Sequence, residues 1–143
     1  KFYDGTRFHL AVPSLMVAGG DPNSKNEDPS GDGAGGPGYM IPDECTSPKA
    51  RNSFHGTLSM VNTGPGTAGS QFFFTLLPRN GMNGHFTVFG RVLQGQDVID
   101  HITRGRTTRE IPAFGKIIPG DLLVRAEVIR KRPHEYRVIK EQR

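Results

Sequence analysis

Side chains able to do chemistry are sparse in this sequence, and they form no metal-binding or nucleophilic pattern. Cys45 is the single cysteine, so it can form neither an internal disulfide nor a thiolate metal site. No basic residue adjoins it to lower its pKa, which favours a buried or half-buried structural thiol over a redox role. Several acidic residues between positions 21 and 38 suggest calcium, but Lys25 stands where an EF-hand needs a ligand. We therefore predict no metal and no cofactor.

The charge balance favours a solvated protein surface over a nucleic-acid site. Lysine and arginine number 18 against 14 acidic residues, a net charge of +4. Much of the excess lies in the tail over residues 125–143, and no stripe of aromatic and basic residues accompanies it. Nucleic-acid binding through the tail is thus the weakest of three functional hypotheses. No apolar run reaches the length of a membrane span, and nothing resembles a signal peptide. These features do not indicate the cellular compartment of the protein.

The elements that must position any site are short and mostly strands. With 19 glycines and 11 prolines in 143 residues, turns are frequent, which favours a β-rich single domain. The patterns predict a strand, a bend at Pro13 and Ser14, and a second strand over residues 7–18. Residues 21–38 are predicted to form a solvent-exposed loop. Further strands are predicted over 57–61, 71–77, 86–93 and 122–130, and a helix near 96–103.

The periodicity also predicts which faces of these elements are apolar. Val98, Ile99 and Ile102 share one face of the predicted helix. Residues 122–130 alternate from Val124 onward, as a half-buried strand does. Phe72, Phe74, Val88 and Ile99 are the predicted core-facing residues.

Four blocks of sequence resemble the cyclophilins in the order and nearly the spacing of that family. They are FHLAVPSLMVAGGD, GTLSMVNTGPGTAGSQFFF, NGHFTVFGRVLQGQDVID and AEVIRKRPHEY. Four ordered blocks are far more specific than any one motif, and the resemblance covers essentially the whole chain. It implies a mainly β fold, a closed antiparallel β-barrel with a capping helix.

The resemblance also implies a division of the chain. Residues 1–132 form the cyclophilin-like domain, and residues 133–143 form a basic C-terminal tail. The family domain opens with strands and a helix that precede the position of Lys1. We therefore expect an unread N-terminal segment, or another chain, to complete the barrel, because a cut barrel leaves two unpaired edges.

The activity that the resemblance implies is cis–trans isomerisation of peptide bonds that precede proline. Rotation about a peptide bond faces a barrier of about 18–20 kcal/mol, and X-Pro bonds exchange slowly for this reason. No bond is broken, so neither a nucleophile nor a metal is needed. A catalyst must grip the proline, hold the neighbouring main chain and stabilise the twisted amide.

The resemblance places residues of this chain in the first two of these roles. The proline pocket is implied to be wholly apolar, and the main chain is implied to be held by the backbone around Val61 and Asn62 and by the Gln71 side chain. Taken alone, each pocket residue could be ordinary core, Asn62 a turn former and Gln71 the end of a strand. The implied pocket residues are Leu15, Met16, Phe73, Met82 and Phe86.

The third role is the one that this sequence lacks. Leu10 stands at the family's catalytic arginine position, and Ala18 stands at the glutamine that orients that arginine. Neither side chain can donate a hydrogen bond, and Gly81 replaces the family's indole. Strand alternation turns His9 away from the site, and His85 lies one place before the usual histidine. Two main hypotheses follow: a weakened peptidyl-prolyl isomerase, or a non-catalytic module that binds proline-containing peptides.

Overall fold

The chain folds into antiparallel strands joined by long turns. The computed structural model describes residues 1–102 and 119–141. Short 3₁₀ turns cover Pro22–Lys25, Pro29–Gly31 and Asn80–Met82, and one helix, α1, covers Gln96–His101. The strands are β1 (Thr6–Arg7), β2 (Leu10–Val12), β3 (Met16–Gly19), β4 (Thr57–Met60), β5 (Phe72–Thr75), β6 (Val88–Arg91) and β7 (Leu122–Leu123).

Two antiparallel sheets contain these strands. The larger sheet has the order β2-β3-β5-β4-β6, and β1 pairs with β7 in the smaller one. The bend predicted at Pro13 and Ser14 is confirmed: Ser14 has a φ of 59°, and the Leu15 amide donates to the Val12 carbonyl at 3.0 Å. This tight turn folds β3 back onto β2.

A closed barrel was predicted, and within the described ranges the prediction is wrong. β2 and β6 occupy the two ends of the larger sheet and do not pair with each other, while β1 and β7 form a separate pair. Closure requires every strand to have a partner on both sides. The strands described here make an open sheet. That an N-terminal segment or another chain completes the barrel stays a prediction.

Burial distinguishes the two faces of the larger sheet. Phe73 and Ala18 are 1% and 2% exposed, and they lie on one face. Phe72 and Phe74, predicted to face the core, point to the other face and are only half-buried. Their rings pack edge to face, with centroids 5.8 Å apart. A period of two defines the faces of a strand but does not say which face is more covered.

The predicted helix is confirmed, but its apolar face is only partly covered. Asp97 lies in the first turn, as the sequence indicated, where a carboxylate favours a helix start. Ile99 and Ile102 are half-buried, and so is Val88 on β6, whereas Val98 is 62% exposed. In the two described ranges no helix has the length and apolarity needed to span a membrane.

The strand predicted over 122–130 is wrong beyond its first two residues. Only Leu122 and Leu123 pair, because their partner β1 is itself two residues long. Val124 is 74% exposed and Ile129 is 97% exposed. Alternation makes a strand only where a second strand pairs with it, and beyond Leu123 no described strand does so; the Ala126 amide donates to the Asp4 side chain instead.

The loop predicted over 21–38 has a buried anchor that the sequence reading did not foresee. Asp21 and Ser24 are fully buried, although this region was predicted to be solvated throughout. Asp21 caps the first 3₁₀ turn, with its side chain accepting from the Asn23 amide at 2.8 Å. Proline follows as the first residue of the turn, an arrangement favoured where a turn begins.

Candidate functional site

One row of side chains crosses four strands of the larger sheet. Leu10 is paired with Ala18, Ala18 with Phe73, and Phe73 with Ser59. Residues directly opposite each other in antiparallel strands point to the same side, with Cβ atoms about 4.5–5.5 Å apart. The four side chains therefore lie in line on one face.

The row brings together Leu10 and Ala18, the two positions at which the resemblance implies an arginine and a glutamine. Leu10 and Ala18 are cross-strand partners, so an arginine at the first and a glutamine at the second would be direct neighbours. In this chain the same place holds only aliphatic atoms. No donor from either position can reach a peptide on this face.

Apolar side chains border the row, as the implied proline pocket would require. Met16 lies two residues before Ala18 and therefore on the same face. The Phe86 ring packs edge to face against Phe73, with centroids 5.3 Å apart. The Arg79 guanidinium donates to the Ser14 carbonyl at 2.9 Å. That bond ties the turn that carries Leu15 to the segment that carries Met82.

The residues predicted to hold the peptide main chain lie together at the ends of β4 and β5. The Val61 amide donates to the Gln71 carbonyl at 3.0 Å. The Asn62 side-chain amide donates to the His85 carbonyl at 2.8 Å. The Asn62 side chain thus fixes the segment that leads to Phe86.

A clamp on the glycine-rich loop, which we call the Asp21 clamp, supports Gln71. On one side, the Asp21 carboxylate accepts from the backbone amides of Gly33 and Gly35. On the other side, the Gln71 Nε2 donates to the carbonyls of the same two glycines at 3.0 and 2.8 Å. Both amide hydrogens of Gln71 therefore have partners, and the side chain is held against the glycine-rich loop.

The glycine at position 35 is a steric requirement of this clamp. A Cβ atom placed there would lie 2.1 Å from Asp21 Oδ1 and 2.9 Å from the Asn23 side chain. Sequence reasoning missed the clamp because it treated the acidic residues of the loop as solvated. The Asp21-Pro22 dipeptide was the available signal, since aspartate before proline is typical of a capped turn.

The cavity beside the clamp has a volume of about 730 Å³. Residues 33–40 form one wall, and Val61, Asn62 and Gln71 contribute to the other. The structure therefore places the implied main-chain residues in this cavity. It places the implied proline-pocket residues outside the cavity; these are Leu15, Met16, Phe73, Met82 and Phe86.

His9 lies beneath the clamp and not in the row, in agreement with the sequence analysis. It is 9% exposed, and a Cβ atom at Gly33 would lie 3.6 Å from its ring. Burial lowers the pKa of His9 below the usual value of 6.5; the nearby carboxylates of Asp21 and Asp32 and a hydrogen bond with Gln71 oppose this in part. The neutral imidazole is therefore the form that the fold favours.

This lowered pKa gives the folded protein a defined pH dependence. The unfolded chain binds a proton at His9 more readily than the folded chain does. The free energy of unfolding should therefore be at its full value above about pH 6.5 and decrease as the pH falls towards the folded pKa. Urea unfolding between about pH 7.5 and pH 5 measures this. His9→Gln should flatten the profile, whereas the same change at exposed His85 should not.

The comparisons with known proteins agree with the geometry. The sequence model of the cyclophilin type peptidyl-prolyl cis-trans isomerase family matches residues 1–127. The peptidyl-prolyl cis-trans isomerase B of Streptomyces anulatus is 41% identical over 117 residues, which cover 78% of this chain and 62% of that protein. The peptidyl-prolyl cis-trans isomerase-like 1 of Gibberella zeae is 41% identical over 112 residues, 76% of this chain and 64% of that protein.

A third relative is covered more fully. The peptidyl-prolyl cis-trans isomerase B of Bacillus subtilis is 38% identical over 114 residues, 80% of this chain and 74% of that protein. The chain spans less than two thirds of the length of the first two relatives. The match of the family to residues 1–127 includes the whole row and the clamp. The chain belongs to the cyclophilin-type peptidyl-prolyl cis-trans isomerase family.

Proposed function

We propose that this domain binds proline-containing peptide segments and isomerises their X-Pro bonds at a strongly reduced rate. The proline ring packs against Met16 and Phe86, half-buried side chains that border the buried Phe73 ring. The preceding main chain extends into the cavity that Val61 and Gln71 line. The observation that carries this proposal is the apolar border of the row, Met16 and Phe86, which lies beside a Leu10–Ala18 pair that offers no donor.

The reduced rate follows from what the twisted amide needs. As the C–N bond rotates, conjugation is lost and the proline nitrogen becomes a hydrogen-bond acceptor, which a donor on the sheet would stabilise. Leu10 and Ala18 leave that donor out. Interactions that bind the planar and twisted peptides equally lower the dissociation constant without accelerating the reaction.

The second candidate function is a non-catalytic module that holds proline-containing partners in the same place. The pairing of Leu10 with Ala18 favours it, because both halves of the arginine-orienting pair are aliphatic. Isomerase and binding module share the apolar border and the cavity. They differ only in whether the X-Pro bond of the bound peptide interconverts between cis and trans faster than that of the free peptide.

Exchange spectroscopy by NMR separates the two candidates with one probe, the tetrapeptide Ala-Ala-Pro-Phe. Shift changes in the peptide report binding, and cross-peaks between its cis and trans signals report exchange. Slow catalysed exchange supports the isomerase. Binding with exchange equal to that of free peptide supports the module. Absence of binding contradicts both.

The same titration tests the apolar border. Phe86→Ala removes a half-buried ring from the face on which we place the proline, and with it apolar area that the bound peptide would cover. We expect the dissociation constant of the tetrapeptide to increase about fivefold. Phe54→Ala is the matched control, because Phe54 is 61% exposed and lies outside the row. Equal effects of the two substitutions would mean that Phe86 does not contact the peptide.

A further inference from the structure

The C-terminal tail returns to the cavity that Val61, Asn62 and Gln71 line. The Glu141 amide donates to the Met40 carbonyl at 2.8 Å. The Lys140 ammonium lies 4.9 Å from the centroid of the Tyr39 ring, within the range of a cation–π contact. Lys140 and Glu141 are thereby part of the cavity lining.

The Glu141 side chain lies over the turn on the opposite wall. A Cβ atom at Gly66 would be 3.0 Å from Glu141 Oε1, and Gly66 has a φ of +70°, which glycine adopts without strain. The Gly66 amide donates to Asp43 at 2.7 Å. The end of the tail therefore contacts Tyr39 and Met40 in one wall and, at Gly66, the turn whose residues Thr63 and Thr67 line the other wall.

The contact is limited to the last two described residues of the tail. The apolar residues just before them, Val138 and Ile139, are 55% and 75% exposed. Among the described residues, the segment is held by the backbone hydrogen bond to Met40, the cation–π contact with Tyr39 and the approach of the Glu141 side chain to Gly66. Such a contact is reversible, and a ligand that uses the same walls can displace it.

We propose that the end of the tail, residues 140–141, is a built-in ligand of this cavity and competes there with the peptide. This rests on the proposed function, because the competing peptide is the one bound at Val61 and Gln71. The tail enters without helix or strand structure of its own, and its Lys-Glu pair sets its position. When the tail is docked, a smaller fraction of the molecules is open to the peptide. The apparent dissociation constant of the peptide rises in inverse proportion to that fraction.

A single backbone group offers the sharpest test in the full chain. Glu141→Pro removes the amide that donates to Met40, and Glu141→Ala keeps that amide while also removing the carboxylate. We expect Glu141→Pro to bind Ala-Ala-Pro-Phe about threefold more tightly than Glu141→Ala, as expected if about two thirds of the molecules have the tail docked. The amide resonances of Met40 and Gly66 should shift more in the proline variant.

A peptide added in trans completes the test. A synthetic peptide of residues 136–143 contains no proline, so it cannot bind as a substrate of the isomerase. Added to Glu141→Pro, it should weaken tetrapeptide binding and return the Met40 and Gly66 resonances towards their original positions. Equal affinities of the two variants, with no effect of the added peptide, would overturn the inference and leave the proposed function standing. Binding of the added peptide without any tetrapeptide binding would overturn the proposed function and the competition, and leave only the docking.

Discussion

Leu10→Arg combined with Ala18→Gln should raise the isomerisation rate by about two orders of magnitude, while affinity for the peptide changes little. A donor aimed at the twisted amide acts only in the transition state, and a few kcal/mol of such stabilisation gives about this factor. Either substitution alone should do much less. An unsupported arginine must be ordered during the reaction, which offsets part of its benefit.

The pairing of Leu10 with Ala18 makes this a clean double-mutant cycle. The readout is the rate of cis–trans exchange of Ala-Ala-Pro-Phe, with its dissociation constant measured in parallel. Leu10→Lys with Ala18→Gln is the matched control, since lysine carries the charge without the planar fork of arginine. If the unmodified domain already isomerises as fast as the double variant, another group supplies the donor and our account of Leu10 is wrong.

The burial of Ala18 adds a condition to this cycle. Ala18 is 2% exposed, so a glutamine there must displace its neighbours, and overpacking costs about 1–3 kcal/mol. Thermal unfolding of each variant separates a loss of fold from a loss of rate. Rates are then compared only among variants that remain folded at the assay temperature.

Asp21→Ala should lower the free energy of unfolding by about 3 kcal/mol, the largest stability effect we expect. It removes a buried carboxylate that accepts from Asn23, Gly33 and Gly35. Hydrogen bonds to charged groups are stronger than neutral ones, and the amides left behind are partly buried. Urea unfolding measures the loss. Faster hydrogen exchange at the amides of Gly33 and Gly35 should accompany it.

The chain contains a matched control for this substitution. Asp28 also precedes a proline and caps a 3₁₀ turn, accepting from the Ser30 amide at 3.0 Å. It is exposed, and the amides of Gly33 and Gly35 donate to Asp21 and not to Asp28. Asp28→Ala should therefore leave the unfolding midpoint nearly unchanged. Equal midpoints for the two variants would show that the Asp21 clamp contributes nothing to stability.

Much of the strand arrangement could be predicted from the sequence, because proline and glycine mark the turns so clearly. Pro13 and Ser14 fixed the first hairpin, and the pairing of Leu10 with Ala18 follows from that turn. Barrel closure could not be predicted from local pattern, since it depends on which distant edges pair. The face that Phe73 occupies was equally hidden, because alternation gives two faces without ranking their burial.

The candidate site divides in the same way. The resemblance supplied Phe73, Phe86 and Gln71 with their implied roles, and those roles stay predictions. The Asp21 clamp was missed because the sequence alone does not distinguish a buried aspartate from a solvated one. Docking of the tail could not be predicted from the sequence either. It depends on the backbone amide of Glu141, and every residue except proline has such an amide.

Leu10 and Ala18 stand opposite each other on neighbouring strands, and this placement bears on how such a site changes over generations. If the cycle is non-additive, an arginine that has lost its glutamine confers little advantage, and selection no longer maintains it. The two positions then drift as a single trait. A lineage that carries the aliphatic pair would then gain fast isomerisation only when both codons change, so on our proposal the aliphatic pair is easier to keep than to replace.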